Sequence, residues 1–218
     1  MESVTLDWQV VEREAGATSG QETIKVLLVA VPKDVIQQYQ QIAEATGLEL
    51  LSMEAEVFSF ARAVIGEAEK NQTVSLIDIG ARSTTINIVD KGILRVSHSF
   101  DTSGSDFTTV IAKGLNTEYA EAELLKKKQG LLAESGGVKE TMLPLIDLII
   151  EEIKKIFSSF YQAEGQDVKR VILAGGSALM PGIVDYFAKN LARPVEIANP
   201  FANIYYPPIL EDALKEMG

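Results

Sequence analysis

The period with which apolar positions recur changes along this chain, and each change marks an element. Val4, Leu6, Trp8 and Val10 alternate with polar neighbours across residues 1–12, which predicts a strand with one buried face. Residues 14–21, rich in Gly, Ala, Thr and Ser, read as a loop. Residues 24–31 are Val- and Leu-rich enough for a strand buried on both faces. Pro32 suits a first helical position, where no amide donor is needed. Val35, Ile36, Tyr39, Ile42 and Ala43 then mark one helix face, and Gly47 is the stop signal. Residues 48–53 predict a short strand, and Val57, Phe58, Ala61, Val64 and Ile65 mark a second helix. The first 67 residues therefore read as a β-β-α-β-α unit, with the polar stretch 66–73 as a boundary.

Beyond it come two sharp hairpins in about 25 residues. An apolar strand ends in Asp78-Ile79-Gly80, the small turn Ala81-Arg82-Ser83-Thr84 follows, and Thr85 to Val89 reads as a second strand. Asp90-Lys91-Gly92 turns the chain again, and residues 93–100 make the third strand. Residues 102–106 open a helix that runs to about Leu115. Thr117 is a candidate N-cap for a helix over 119–128 closed by Gly130, and 135–137 is a second loop. The clearest period belongs to Leu143, Ile146, Ile149, Ile150, Ile153, Ile156, Phe157 and Phe160, with Glu151, Glu152, Lys154 and Lys155 opposite. Under three heptads, that stripe is too short for a coiled-coil seam and predicts a helix laid on a sheet. Residues 168–173 read as a buried strand running into Ala174-Gly175-Gly176-Ser177, then a helix over 183–191 and a last short strand at 195–198.

The chemistry concentrates in the two glycine turns. Gly80 can take backbone angles other residues avoid, and the small residues after it leave amides and hydroxyls free to face a ligand. Successive amides in a turn make an anion-binding concavity. Asp78 at its mouth suits a hard cation such as Mg²⁺, which keeps waters and bridges to phosphates. Taken alone, Asp-x-Gly before Ser and Thr also occurs in ordinary hairpins, and Gly175-Gly176 also marks ordinary strand-to-helix turns. The combination is more specific: if the two preceding strands are neighbours, both turns open at one sheet edge, where ligands of open α/β sheets bind.

Composition narrows the partners. A net charge of −11 over 218 residues argues against nucleic acid, which demands clustered Lys and Arg. There is no cysteine and one histidine, which excludes disulfides and thiolate metal sites and makes a His-dependent triad implausible. The first 30 residues lack the basic start and apolar core of a signal peptide, and no run approaches the ~18 apolar residues of a membrane span. The cytoplasm is the expected compartment.

On these residues the chain resembles the actin-like ATPases. Leu76-Ile77-Asp78-Ile79-Gly80 with Ser83-Thr84 is similar to their phosphate-2 motif, and Ala174-Gly175-Gly176-Ser177 with Pro181-Gly182 to their adenosine motif. Ala122-Glu123-Leu124-Leu125-Lys126 resembles the FtsA-type segment that meets ribose and base. Val31-Pro32-Lys33, Gly47-Leu48, Glu54-Ala55-Glu56 and Asn199-Pro200-Phe201 bring the resemblance to the type IV pilus assembly PilM family. It implies an α/β fold: one half of an actin-like ATPase (ribonuclease H-like) in the order β-β-β-α-β-α, plus a small α+β subdomain. Residues 1–69 would be IC-like, and 70–218 would be IIA with a small IIB insertion at about 104–136. The resemblance also implies ATP and Mg²⁺ as ligands. Asp78 would hold Mg²⁺ through water, Gly80, Ser83 and Thr84 would cradle the phosphates, Glu123 and Lys126 would meet ribose and adenine, and Gly175, Gly176 and Ser177 would flank the nucleoside. Arg82 stands where many members keep Gly, which stiffens the loop or lets the guanidinium reach a phosphate. The family's first Asp-x-Gly turn, in subdomain IA, has no counterpart here, so the chain reads as a fragment with half a cleft.

The function this implies is a cytoplasmic, ATP-binding pilus assembly protein. It would dock the N-terminal cytoplasmic tail of an inner-membrane PilN-like partner, lie peripheral to that membrane through it, and have self-association open to it. Hydrolysis would be slow at most, since no residue stands out as a general base. The enzyme alternative is a sugar or acid kinase of the same superfamily, and the third reading is an α/β scaffold with structural turns. His98, Trp8, the Lys126-Lys127-Lys128 run and the Glu151-Glu152 pair read as packing, surface or helix-end residues, with only Lys126 carrying a motif.

Overall fold

The apolar run before Gly80 becomes the middle strand of a five-stranded sheet in the computed structural model, which describes residues 3–15, 22–66, 70–132, 136–201 and 203–215. The chain divides into two compact units, Met1–Ala55 and Glu56–Gly218.

In the first unit β1 (Val4–Ala15) and β2 (Glu22–Pro32) pair antiparallel, with a register shift between Val10 and Glu12. The helix α1 (Lys33–Thr46) follows and ends on Gly47 at φ 67°, where the Gly47 and Leu48 amides return to the Glu44 and Ala43 carbonyls. Two sequence expectations fail here. The row Leu6, Trp8 and Leu28 is about 60% exposed, so neither the buried face of β1 nor the two-sided burial of β2 is realised. Burial needs a third strand or a helix over that face, and a two-stranded ribbon offers neither. The strand expected at 48–53 is also absent: the segment has no regular secondary structure and joins no sheet among the described residues. The loop expected at 14–21 starts later than predicted, since β1 continues to Ala15, and from residue 16 it lies outside the described residues. The same holds for 67–69 and Ser135.

The second unit begins with α2 (Glu56–Val64). Three antiparallel strands follow, β3 (Thr73–Ile79), β4 (Thr84–Asp90) and β5 (Ile93–Phe100), as the hairpin signals predict. Next come α3 (Gly104–Leu115), α4 (Tyr119–Gln129) and the long α5 (Val138–Glu164). The chain then returns as β6 (Arg170–Ala174), α6 (Ile183–Leu191) and β7 (Val195–Ile197), with α7 (Glu211–Lys215) near its end. The sheet order is β5-β4-β3-β6-β7, and β6 lies parallel to both β3 and β7. The β-β-β-α-β-α order of the sequence reading is thus the order of the fold.

The period-2 alternation of β3 decides what lies on each side of the sheet. Ile77 and Ile79 face the larger core, where Ile146, Ile149, Ile150, Ile153, Phe157 and Phe160 of α5 meet Phe107 and Phe187. The stripe read from the sequence is therefore a helix laid on a sheet. Val74 and Leu76 face the other way, onto Phe60, Ala61, Val64 and Ile65. Asp78 continues that second row and so emerges on the α2 side. The Asn203 amide bonds the Arg62, Ala63 and Ile65 carbonyls and closes the open end of α2.

The entry to α3 is fixed by an acid. The Asp106 carboxylate accepts the Ser103 amide at 2.9 Å and the Ser103 hydroxyl at 2.7 Å, joining the first turn to the residue before it. Asp106→Ala should cost about 1 kcal/mol, the usual value of a capping interaction, read as a lower urea midpoint with unchanged m-value.

Candidate functional site

Register brings the two glycine turns together. β3 and β6 are parallel neighbours with Asp78 opposite Ala174, so the chain leaves both strands at the same sheet edge. A Cβ on Gly175 would overlap Asp78 Oδ1 and the Ile79 carbonyl, which shows how closely the second turn lies on the first. Gly175 has φ 86° and ψ 160°, a conformation open essentially to glycine alone. Gly80 has no positive φ; its amide donates to the Ser83 carbonyl at 3.0 Å and closes a tight turn. The special backbone angle expected at Gly80 is found instead at Gly175.

A third glycine, which the sequence reading did not assign, completes the junction. The Gly104 amide, first in α3, donates to the Gly80 carbonyl at 2.8 Å, and the Ser105 amide to the Ala81 carbonyl at 3.2 Å. A Cβ on Gly104 would overlap the Ser177 hydroxyl. Orphan amides of a helix start thus hold the first turn in place. The sequence signal for this was the small-residue run Thr102-Ser103-Gly104 directly before a helix.

The Asp78 side chain is half-buried and makes no hydrogen bond among the described residues. Burial, reinforced by the negative charge of Glu56, pushes its carboxyl above the usual 3.8. Glu56, in the first turn of α2, is therefore a second acid acting on this site, and local sequence gave no chemical role for it. Such a carboxylate gains more than an ordinary one from an incoming cation. Among the described residues no group of three or more His, Cys, Asp or Glu is placed to hold a metal by itself.

The other predicted residues separate into three sets. Arg82 is exposed on the turn and makes no ion pair among the described residues, and Ser83 is half-buried beside it. Gly176 is exposed with open space around it, while Ser177 is buried against Gly104. Thr84 is fully buried and its hydroxyl donates to the Thr102 carbonyl at 2.7 Å, so it supports the turn from below. Glu123 and Lys126 join the site only through α3: Lys126 Nζ donates to the Gly104 carbonyl at 2.9 Å and the Thr108 hydroxyl at 2.8 Å, and lies 2.6 Å from Glu123 Oε2. Burial pulls the Glu123 carboxyl upward, but its bonds from Lys126 and Thr108 win and hold it below its usual 4.5. A cavity of about 670 Å³ lined by Phe58, Ala61, Lys91 and Leu94 lies at the opposite end of the strands and is not part of this site.

Comparison with known proteins accords with this geometry. Residues 1–216 match the family described as type IV pilus assembly protein PilM. The cell division protein FtsA of Bacillus subtilis (strain 168) is 28% identical over 194 residues, covering 79% of this chain and 44% of that protein. FtsA of Neisseria meningitidis serogroup B is 26% identical over 219 residues, 89% of this chain and 53% of that one. The chain thus spans about half the length of these relatives. Among solved structures, a PilM-PilN type IV pilus biogenesis complex superposes with a TM-score of 0.81 at 20% identity, over 99% of this chain and 62% of that one. MreB5 of Spiroplasma citri bound to AMPPNP gives 0.62 at 22% identity, over 86% and 67%. The fold is that of the actin-like ATPases, as the resemblance implied.

Proposed function

This chain belongs to the PilM family of type IV pilus assembly proteins, and from that premise we propose that it is an ATP-binding, actin-like assembly protein that docks the cytoplasmic tail of an inner-membrane pilus protein. The observation that carries the nucleotide half is the Asp78 carboxylate, without a hydrogen-bond partner among the described residues and lying against Gly175 where the two turns meet. Asp78 would hold Mg²⁺ through water. Gly80, Arg82 and Ser83 would face the phosphates with Thr84 beneath them, and Gly175, Gly176 and Ser177 would flank the nucleoside. Glu123 would stand on the ribose side with Lys126 behind it. Mg²⁺, when bound, neutralises phosphate charge; the chain's own part is to orient the phosphates and keep an acid at the ion. Hydrolysis would be slow.

The docking half is supported by the family and by a solved neighbour that is a PilM-PilN complex. The partner proposed here is the N-terminal cytoplasmic tail of a PilN-like protein, which would place the chain in the cytoplasm, peripheral to the inner membrane. No helix among the described residues is long and apolar enough to cross a membrane. Residues 1–69 would serve as subdomain IC, and 70–218 as IIA with IIB at about 104–136, although the compact units divide at Ala55 and group α2 with the sheet. The small-molecule kinase reading rests only on the shared glycine turns.

Calorimetry of the complete protein against a synthetic tail peptide, with and without MgATP, tests both halves. Saturable binding of peptide and of nucleotide is expected. No peptide binding in either condition sinks the docking reading, and no heat with MgATP sinks the nucleotide reading.

A further inference from the structure

We propose that the cavity at the far end of the strands is a second binding site, for a small amphipathic acid: an apolar chain carrying one carboxylate. The site stands apart from the glycine turns, and its occupant is independent of the nucleotide and docking readings.

The cavity arises because α2 turns only part of its apolar stripe to the sheet. Phe60, Ala61, Val64 and Ile65 pack with Val74, Leu76 and Val89. Val57 and Phe58, which the sequence pattern puts on the same stripe, belong to neither core and stay half-buried. With Leu94 of β5 they line a space of about 670 Å³ instead. That volume and an apolar lining are those of a site for a small organic molecule. Asn203 closes one side of it, and its amide is committed to the Arg62, Ala63 and Ile65 carbonyls at 3.1, 3.1 and 3.2 Å.

The charges around the cavity are of one sign. Arg62, Lys70 and Lys91 reach it from three separate segments, and no described Asp or Glu lines it. The chain as a whole carries 31 acids and 20 bases, so this lining runs against its composition. Arg62 and Lys70 have other partners. The Lys91 ammonium makes no hydrogen bond or ion pair among the described residues, which leaves it to meet an incoming acid.

The backbone of Lys91 is an independent sign. Lys91 and Gly92 form the two-residue turn between β4 and β5, with Asp90 paired to Ile93 and φ of 50° and 77°. A hairpin turn with positive φ at both positions is filled with least strain by Asn-Gly or Asp-Gly. A lysine there is held in the left-handed region that L side chains avoid. Asparagine would make the steadier turn; lysine places a cation at the cavity.

Methyl NMR of the complete protein, titrated with monomeric decanoate, decanol and decyltrimethylammonium, tests the site. Decanoate should bind saturably and shift the Val57, Ile65 and Leu94 methyls. Decanol, with the same apolar body, should bind about three- to fivefold more weakly, the worth of one partly exposed ion pair. The cationic amphiphile should be weaker still. Lys91→Asn should weaken decanoate by that same factor and leave decanol unchanged. Asparagine suits this turn, so the variant keeps its fold and should melt about 2 °C higher. Val57→Trp, which fills the cavity from α2, should abolish binding of all three. Decanol binding as tightly as decanoate, or a Lys91→Asn variant that binds decanoate as before, would overturn the proposal. So would no binding at all, or shifts confined to the exposed Leu6 and Leu28 of the β1–β2 ribbon.

Discussion

Gly175→Ala is expected to lower stability by about 3–5 kcal/mol and to abolish MgATP binding. Two costs add. The residue sits at φ 86° and ψ 160°, where an L side chain is strained by itself. Its new methyl would also occupy the space of Asp78 Oδ1 and of the Ile79 carbonyl, and the second is backbone held in the middle of a sheet, so relief must come from separating β6 from β3. Gly176→Ala is the control. Gly176 has open space where a Cβ would sit and no positive φ, so the change should stay within about 0.5 kcal/mol. Urea titration of both variants reads the stability difference and calorimetry reads the ligand. Equal stability of the two variants would show that the turns are not interlocked.

Asp78→Asn should move stability and binding in opposite directions. Burial and Glu56 raise the folded-state pKa of Asp78 above the 3.8 of an unperturbed aspartate. The folded protein therefore binds this proton more tightly than the unfolded chain does. The contribution of the group to stability falls as pH rises from 3.8 through the folded-state value, and the whole penalty is present at neutral pH. Asparagine does not titrate and removes it. The variant should be more stable than the parent at pH 7, as when a functional group held against its preferred charge state is removed. That gain should shrink as pH is lowered toward 3.8. Mg²⁺-dependent nucleotide binding should fall at least ~10-fold, since an amide cannot replace a carboxylate toward a hard cation. Thermal melts across pH and calorimetry with and without Mg²⁺ check both halves. A destabilised variant, or one that binds MgATP normally, would remove Asp78 from its proposed role.

Much of this architecture was legible because the second unit carries its own consistent signals. The hairpins around residues 73–100 needed only apolar runs separated by Gly-containing turns, and the α5 stripe needed only a three-four period, so local sequence and tertiary packing agree there. The first unit failed for a physical reason. An alternating pattern such as Val4, Leu6, Trp8 and Val10 says which side chains share a face, and burial then depends on another element to cover it. In this structure Val4, Leu6 and Trp8 of that row are exposed and Val10 is half-buried, and residues 48–53, apolar enough for a strand, join no ladder among the described residues.

The candidate site divides along the same line. Sequence alone determined that two glycine turns follow two apolar strands, that an acid stands before the first, and that Glu123 and Lys126 share one helix face three residues apart. It could do so because turn residues, strand length and helical spacing are local properties. Tertiary structure alone decided the rest: that β6 lies parallel beside β3 so the turns meet, that Gly175 and not Gly80 carries the backbone only glycine can adopt, and that Gly104 joins α3 to the turn. It also turned Thr84 and Lys126 inward and brought Glu56 to bear on Asp78. Those are outcomes of strand order and helix placement, and a donor or a charge has a partner only once the fold has chosen its neighbours.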